Sequence, residues 1–346
     1  MKKQKLAAVF LIVFSLLVTA TGCTLVDERA VGTINGEKIG IGEYNFFLNS
    51  VKRELLTQSS ISSENEASFW ASSEIDGKKA SEVAKEKAFE QAVLFHVKLA
   101  KATDAGIMLT AEDKATVNAQ IKNIENSSGG SSAFQASLKE IGMTEDDYKK
   151  ISENSFIISK YFDQLASEEG SQIAVTDEEA QQYYDAHKNE AAFKDQVTAK
   201  HILISTVDEN QQPLPEDQVI AAKAKADETY QKIIDGADFD TLMNELSEDP
   251  GLAQNPDGYT FGKGEMVQEF EDTAFSLGID EVSEPVRSDY GYHIIKTTDI
   301  QYIPYESIQD QIKLQIQYEK FDQLAESWRS EYTITTDTKM LNSISL

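Results

Sequence analysis

The chain has 346 residues, room for roughly two domains, and its 40% hydrophobic and 26% charged content suits a folded soluble protein. Its 59 acidic residues against 32 basic ones give a formal charge of −27, a surface that repels phosphate backbones and speaks against nucleic-acid binding. A single cysteine excludes an internal disulfide.

Lys2, Lys3 and Lys5 precede an apolar run from Leu6 to Val18, interrupted only by Ser15. Small residues follow, Ala20-Thr21-Gly22, and then Cys23. Residues 1–22 read as a secretory signal, too short for a comfortable membrane span. A lone thiol just past such a segment resembles the lipobox of bacterial lipoproteins, with Ala20 where that family usually has Leu. The resemblance implies that Cys23 is lipidated and becomes the mature N-terminus; ordinary signal cleavage beside an incidental cysteine is the plainer alternative. No later segment is apolar enough to span a bilayer, so the expected chain is anchored to the membrane and does not cross it.

Downstream, V-G-T-I-N-G-E-K-I-G predicts a hairpin, because a type I′ turn at Asn35-Gly36 needs positive φ at both central residues. Helical spacing then covers Glu43 to about Thr57 through Tyr44, Phe47, Leu48 and Val51, and a longer helix is expected over Ser81 to Ala102. Thr110 is an N-cap for a third helix to Ile124. Glu125 to Ala133, E-N-S-S-G-G-S-S-A, predicts a flexible break. Helix resumes from Phe134 to Leu165, interrupted at Gly142, with Thr144 capping the next turn.

From Val197 the pattern changes. V-T-A-K-H-I-L-I-S-T alternates as a strand, and Glu216 to Ile234 is an amphipathic helix with Val219, Ala222, Ala226, Tyr230 and Ile233 on one stripe. Asp238 caps a shorter helix carrying Phe239, Leu242, Met243 and Leu246. A turn-rich stretch runs from Glu248 to Gly264. A helix over Met266 to Leu277 is expected to stop at Gly278, followed by strands near Val286 and from Tyr292 to Thr297. Strand, helix, helix, loop, helix, strand, strand within about a hundred residues is a compact α+β domain. The tail returns to helix from Tyr305 to about Ser330, with Leu314, Tyr318, Phe321, Leu324 and Trp328 on one face. That stripe needs an apolar cover, and the helical N-terminal region is the natural one.

The chain has only four histidines, and one of them, His293, sits inside the strand S-D-Y-G-Y-H-I-I. A buried imidazole without a partner costs on the order of 1–3 kcal/mol. His201, in K-H-I-L-I, is the expected partner: if the two strands are neighbours, the rings stack or hydrogen-bond across the sheet, with Gly291 leaving room.

The segments K-H-I-L-I, G-A-D-F-D-T-L, S-E-D-P-G, F-G-K-G-E-M-V-Q-E-F, A-F-S-L-G and E-P-V-R-S-D-Y-G-Y-H-I-I occur in that order. Together, over about Asp195 to Asp299, they resemble a parvulin-type peptidyl-prolyl cis–trans isomerase domain. The flanks resemble the extracellular foldase lipoproteins of Gram-positive bacteria. The resemblance implies an α+β fold, a parvulin-like domain with a small antiparallel sheet and surrounding helices, inserted into a mostly α-helical chaperone-like domain. The expected divisions are signal 1–22, helical domain 23–194, isomerase domain 195–299, and a C-terminal helical part 300–346 packing back on the N-terminal domain.

By the same resemblance the paired histidines are His201 and His293, the pocket acid is Asp249, and the nearby hydroxyl is Ser288. The apolar proline pocket falls on Met266 and Phe270. Where the family usually has G-G-D-L-G, this chain has N-P-D-G-Y, so either Tyr259 supplies the loop's apolar residue or the rim is reshaped. Each assignment has a plainer rival: Asp249-Pro250-Gly251 is a good turn, Met266 and Phe270 are good core residues, and the histidines could be a purely structural pair.

Prolyl isomerisation breaks no bond, so neither cofactor nor metal is required, and no metal-ligand spacing such as H-E-x-x-H is present. The implied partners are unfolded or partly folded secreted chains containing Xaa-Pro, met at the outer face of the cell membrane; whether the chain pairs as a homodimer stays open. Phosphate-directed parvulins carry a basic cluster after the first strand. Here that stretch, T-V-D-E-N-Q-Q-P-L-P-E-D, is acidic, which speaks against phosphorylated targets. Two other functions compete with an active foldase: a parvulin-fold holdase without turnover, and a lipid-anchored solute-binding protein. The latter lacks the long αβ alternation of such receptors.

Overall fold

The computed structural model describes residues 29–59, 61, 65–168 and 170–346; the signal segment and Cys23 lie outside the described residues. The chain forms two compact units: one contains the described residues up to Ala174 together with Gln317–Leu346, the other Val175–Ile316.

The first unit opens with β1 (Ala30–Ile34) and β2 (Glu37–Gly40). Asn35 and Gly36 both have positive φ, 49° and 86°, as the Asn-Gly turn demands. α1 (Ile41–Gln58) buries Tyr44, Phe47, Leu48, Val51 and Leu55, one helical stripe. α2 (Glu66–Ser72) and the short hairpin of β3 (Glu74–Ile75) and β4 (Lys78–Lys79) precede α3 (Ala80–Asp104). Ala84, Ala88 and Ala92 are fully buried along α3, in one core with the apolar stripe of α1.

α4 (Ala111–Ser127) starts on Thr110, whose hydroxyl accepts from Asp113 N while the Asp113 carboxylate accepts from Thr110 N. The predicted break shrinks to Ser128–Gly130, because α5 (Ser131–Glu140) begins at once on the positive-φ Gly130. α6 (Glu145–Ser167) repeats the reciprocal cap with Thr144 and Asp147. Three elements from the C-terminal part, the end of one helix, a strand and a short last helix, complete this unit. The end of α11 (Tyr305–Trp328) stacks Tyr318 on Phe162 at 4.3 Å, and β9 (Ile334–Thr336) joins the sheet in the order β2-β1-β9. A last helix, α12 (Thr338–Ser343), follows.

The second unit starts with α7 (Asp177–His187), capped by Thr176. Its sheet is antiparallel throughout, in the order β6-β5-β8-β7. β5 (Lys194–Ser205) and β8 (Gly291–Tyr302) form the long central pair; β6 (Tyr259–Gly262) and β7 (Val286–Arg287) are short edges. Ile202, Ile204 and Ile294 face α8 (Glu216–Ile234) and α9 (Phe239–Leu246), against Ala222, Ala226, Phe239 and Met243. The opposite face packs Val197, Ala199 and Ile295 against Phe270 and Phe275 of α10 (Gln268–Ser276). Both faces are covered, which is why K-H-I-L-I reads as a nearly continuous buried run.

Three details differ from expectation. β6 lies within the stretch read as turns. Gly278 is not a left-handed cap: α10 ends at Ser276, and the buried Lys194 Nζ donates to the carbonyls of Phe275 (2.8 Å) and Leu277 (2.6 Å). On α11 the buried positions are Ile312, Ile316, Phe321 and Ala325, whereas Leu314 and Leu324 are half-buried. Ile312 and Ile316 pack on Ala180 and Tyr184 within the second unit. Among the described residues no helix is long and apolar enough to cross a membrane.

Candidate active site

The strand register decides which side chains meet. His201 pairs with Ile295 and Leu203 with His293, so both histidines point to the α10 face, one diagonal step apart. Their ring centroids lie 5.3 Å apart, tilted by 53°. That is ring contact, not a hydrogen bond. The partner of His293 is Ser288, whose Oγ is 2.7 Å from His293 Nε2 and also accepts from Tyr290 N at 3.2 Å. His293 Nδ1 is buried without a protein partner. Of the two expected modes, stacking or a hydrogen bond, the rings show a tilted contact, and the hydrogen bond of His293 is a local one, five residues apart in sequence.

Phe270, on the first turn of α10, closes the floor. Its ring meets His201 edge-on at 5.1 Å and His293 at 5.4 Å, and it is only 4% exposed. Met266 is half-buried beside it. The loop bearing Met266 is tied by Glu271, a residue absent from the expected site. Both carboxylate oxygens accept from Gly264 N at 2.8 Å, and Oε2 also lies 3.2 Å from Glu265 N and 3.4 Å from Met266 N. An acid in the first turn of a helix, three to seven residues past a glycine turn, is a signal that could have found it.

Asp249 is held by two hydrogen bonds. Oδ1 accepts from Gly251 N at 3.0 Å, which sets the turn, and Oδ2 accepts from the Tyr259 hydroxyl at 2.7 Å. His201 Nε2 is 3.7 Å from the same Oδ2, beyond hydrogen-bond reach. Tyr259 stands on β6 opposite Ala199, its ring 5.8 Å from His201. It thus presents a hydroxyl to the acid as well as an apolar face.

Gly291 owes its place to the sheet and not to room for an imidazole. A Cβ there would stand 2.2 Å from the Ile204 carbonyl oxygen and 2.9 Å from Ser205 Cα. The other two histidines lie elsewhere. His96 Nε2 faces Glu43 at 2.9 Å in the first unit, and His187 stacks on Tyr183 and meets Glu190.

Burial governs the electrostatics of the two rings. Burial pushes His293 down to about 3, with His201 adding to the effect. Burial also lowers His201, opposed in part by Asp249. Both rings are neutral at physiological pH, so the His201–Asp249 contact is not a salt bridge. Among the described residues no three His, Cys, Asp or Glu side chains gather where they could hold a metal ion. What the arrangement offers is a ring-walled apolar floor, one carboxylate and a hydroxyl: groups that can orient a planar amide and respond to its charge without covalent chemistry.

Residues 184–301 match the family model described as the PPIC-type PPIASE domain. Foldase protein PrsA of Caldanaerobacter subterraneus subsp. tengcongensis is 27% identical over 337 residues, 94% of this chain and 95% of the relative. Foldase protein PrsA of Geobacillus kaustophilus is 38% identical over 152 residues, 43% of this chain and 46% of the relative. The crystal structure of PrsA from Bacillus subtilis is 20% identical, covers 92% of this chain and 94% of that one, and superposes with a TM-score of 0.25, too loosely to bear on individual residues.

Proposed function

We propose that this chain, whose residues 184–301 match the PPIC-type PPIASE domain and which is similar along most of its length to a foldase, turns Xaa-Pro bonds of unfolded secreted chains over the floor formed by Phe270, His201 and His293. The observation that carries this is the convergence of two neutral imidazoles, Phe270 and Asp249 from four separate elements.

A prolyl amide resists rotation by about 18–20 kcal/mol because resonance holds it planar. Rotation removes that resonance, leaving the carbonyl oxygen less negative and the nitrogen more basic. Catalysis therefore asks for an apolar seat that fixes the ring and a polar surround suited to the twisted amide better than the planar one. Phe270 and Met266 supply the seat and exclude water. His201, His293 and Ser288 form a neutral hydrogen-bonding wall, and Asp249 brings the one negative charge to the amide. Tyr259 closes the side of the seat towards β6.

The helical first unit serves as the chaperone body that holds clients, and a lipid on Cys23 tethers the chain to the outer face of a Gram-positive cell membrane. The acidic loop after β5 favours clients without phosphate before proline.

A protease-coupled assay on short Xaa-Pro peptides tests the reading: the full chain accelerates isomerisation, and His201→Ala or Asp249→Ala reduces kcat/KM by at least tenfold. Equal rates for the wild type and both variants would remove the assigned site. Both variants should still suppress aggregation of an unfolded client, since holding is assigned to the helical unit. Mass spectrometry of the mature N-terminus, with and without globomycin, tests Cys23.

A further inference from the structure

Two glycines give the Tyr259 hydroxyl its path to the carboxylate of the site. Tyr259 Oη donates to Asp249 Oδ2 at 2.7 Å, within the range of charge-assisted O–H···O⁻ bonds. Gly258 brings the ring there. Its φ is 94°, and a Cβ would lie 2.5 Å from the Ala199 carbonyl oxygen, so no side chain fits before Tyr259. Gly251 keeps the far end open: a Cβ on it would stand 2.1 Å from Tyr259 Oη. The backbone of Gly251 is not in the positive-φ region, so the Tyr259 hydroxyl is the main obstacle to a side chain there.

The same Oδ2 lies 3.7 Å from His201 Nε2. A carboxylate freed from Tyr259 could close that gap by a small rotation and form a charge-assisted bond to a protonated ring. With Tyr259 in place, Oδ2 is already occupied, and Oδ1 is held by Gly251 N.

Resting on the isomerase reading above, we propose that Tyr259 is a positioning residue whose hydroxyl holds the Asp249 carboxylate off His201, so that the carboxylate keeps a fixed direction towards the substrate amide. The titratable and charged groups around His201 are few. Asp249 comes from the loop after α9, Tyr259 from β6 and His293 from β8, with Arg287 of β7 acting on His293; α10 contributes only the Phe270 ring. Burial, with the Asp249 bond added, pushes the Tyr259 hydroxyl up to about 12, so it remains a donor throughout the working range.

The test uses the full chain as wild type, Tyr259→Phe, Gly251→Ala and the double variant. The His201 imidazole is titrated by NMR, and kcat/KM on an Xaa-Pro peptide is followed against pH. In both single variants the His201 midpoint should rise by on the order of one pH unit, the gain expected when a carboxylate closes on an imidazole. The acid limb of the activity profile should rise with it. Gly251→Ala reaches this result without removing the ring or the hydroxyl, and the double variant should move no further than either single one, since both act on the same bond. An unmoved His201 midpoint in Tyr259→Phe, or shifts that add in the double variant, would overturn the role. If the wild type accelerates nothing but the midpoint still moves, the isomerase reading fails while the hold on Asp249 is supported. An active wild type with an unmoved midpoint reverses that outcome.

Discussion

His293 Nε2 lies 2.7 Å from Ser288 Oγ, and the same oxygen accepts from Tyr290 N, so one buried hydroxyl ties a central-strand imidazole to the turn between β7 and β8. His293 Nδ1 has no protein partner in that position. The ring thus hangs from a single hydrogen bond, with aromatic contacts from His201 and Phe270 supplying the rest of its surroundings.

Ser288→Ala should therefore be costly out of proportion to its size. It leaves both ring nitrogens of a buried histidine unpaired, worth about 1–3 kcal/mol of stability. The loss should appear as faster hydrogen exchange at β8 amides and a lower denaturant midpoint for the full chain. A variant as stable as the wild type, with β8 protection unchanged, would show that the bond contributes nothing net.

The depressed His293 makes a directional prediction about pH. A free imidazole titrates near 6.5, whereas His293 is pushed down to about 3. Between those two values the unfolded chain binds a proton that the folded chain refuses, so stability falls as pH drops from about 6.5 towards 3. Above 6.5 this residue contributes no slope. The limiting slope is about 1.4 kcal/mol per pH unit for one such group. His201, also lowered by burial, acts in the same sense. Denaturant midpoints measured from pH 4 to 8 should fall on acidification more steeply for the wild type than for His293→Asn, which removes one titrating ring. Parallel curves would mean that His293 takes up its proton in the folded state too.

Periodicity and capping chemistry made much of this fold legible. Asn35-Gly36 can hardly do other than turn, and Thr110 and Thr144 announce their helices through an acid three residues on. The same signal at Thr176, followed by Glu179, marks α7 but is masked by the charged stretch around it. Short elements escaped because four residues carry little periodicity: β6 hides among glycines and prolines, and its partner β5 supplies the hydrogen bonds that make it a strand. In the site, sharing a face put His201 and His293 together, but face alone does not fix ring tilt. At 53° the rings touch, and the hydrogen bond goes to Ser288. The apolar ring of Tyr259 is legible in the sequence, whereas its hydroxyl reaches Asp249 only because loop geometry brings residues ten apart to within 2.7 Å. That distance is tertiary information, which no local pattern contains.

Glu271 offers a test of the proposed substrate seat that leaves its surface unchanged. Its carboxylate gathers the backbone N–H groups of Gly264, Glu265 and Met266 at 2.8 to 3.4 Å, pinning the loop that presents Met266 beside Phe270. Glu271→Gln keeps one acceptor oxygen but loses the charge, and charged hydrogen bonds are roughly twice as strong as neutral ones. The loop should loosen, Met266 should spend less time against the proline ring, and ground-state and transition-state binding should weaken together. In peptide assays KM should rise by about threefold to tenfold with kcat little changed, as expected when about 1 kcal/mol of uniform binding is lost. Glu271→Ala, which removes every acceptor, should go further in the same direction. If kcat fell while KM held, Glu271 would be acting on the twisted amide, and the seat would have to be reassigned to residues nearer His201.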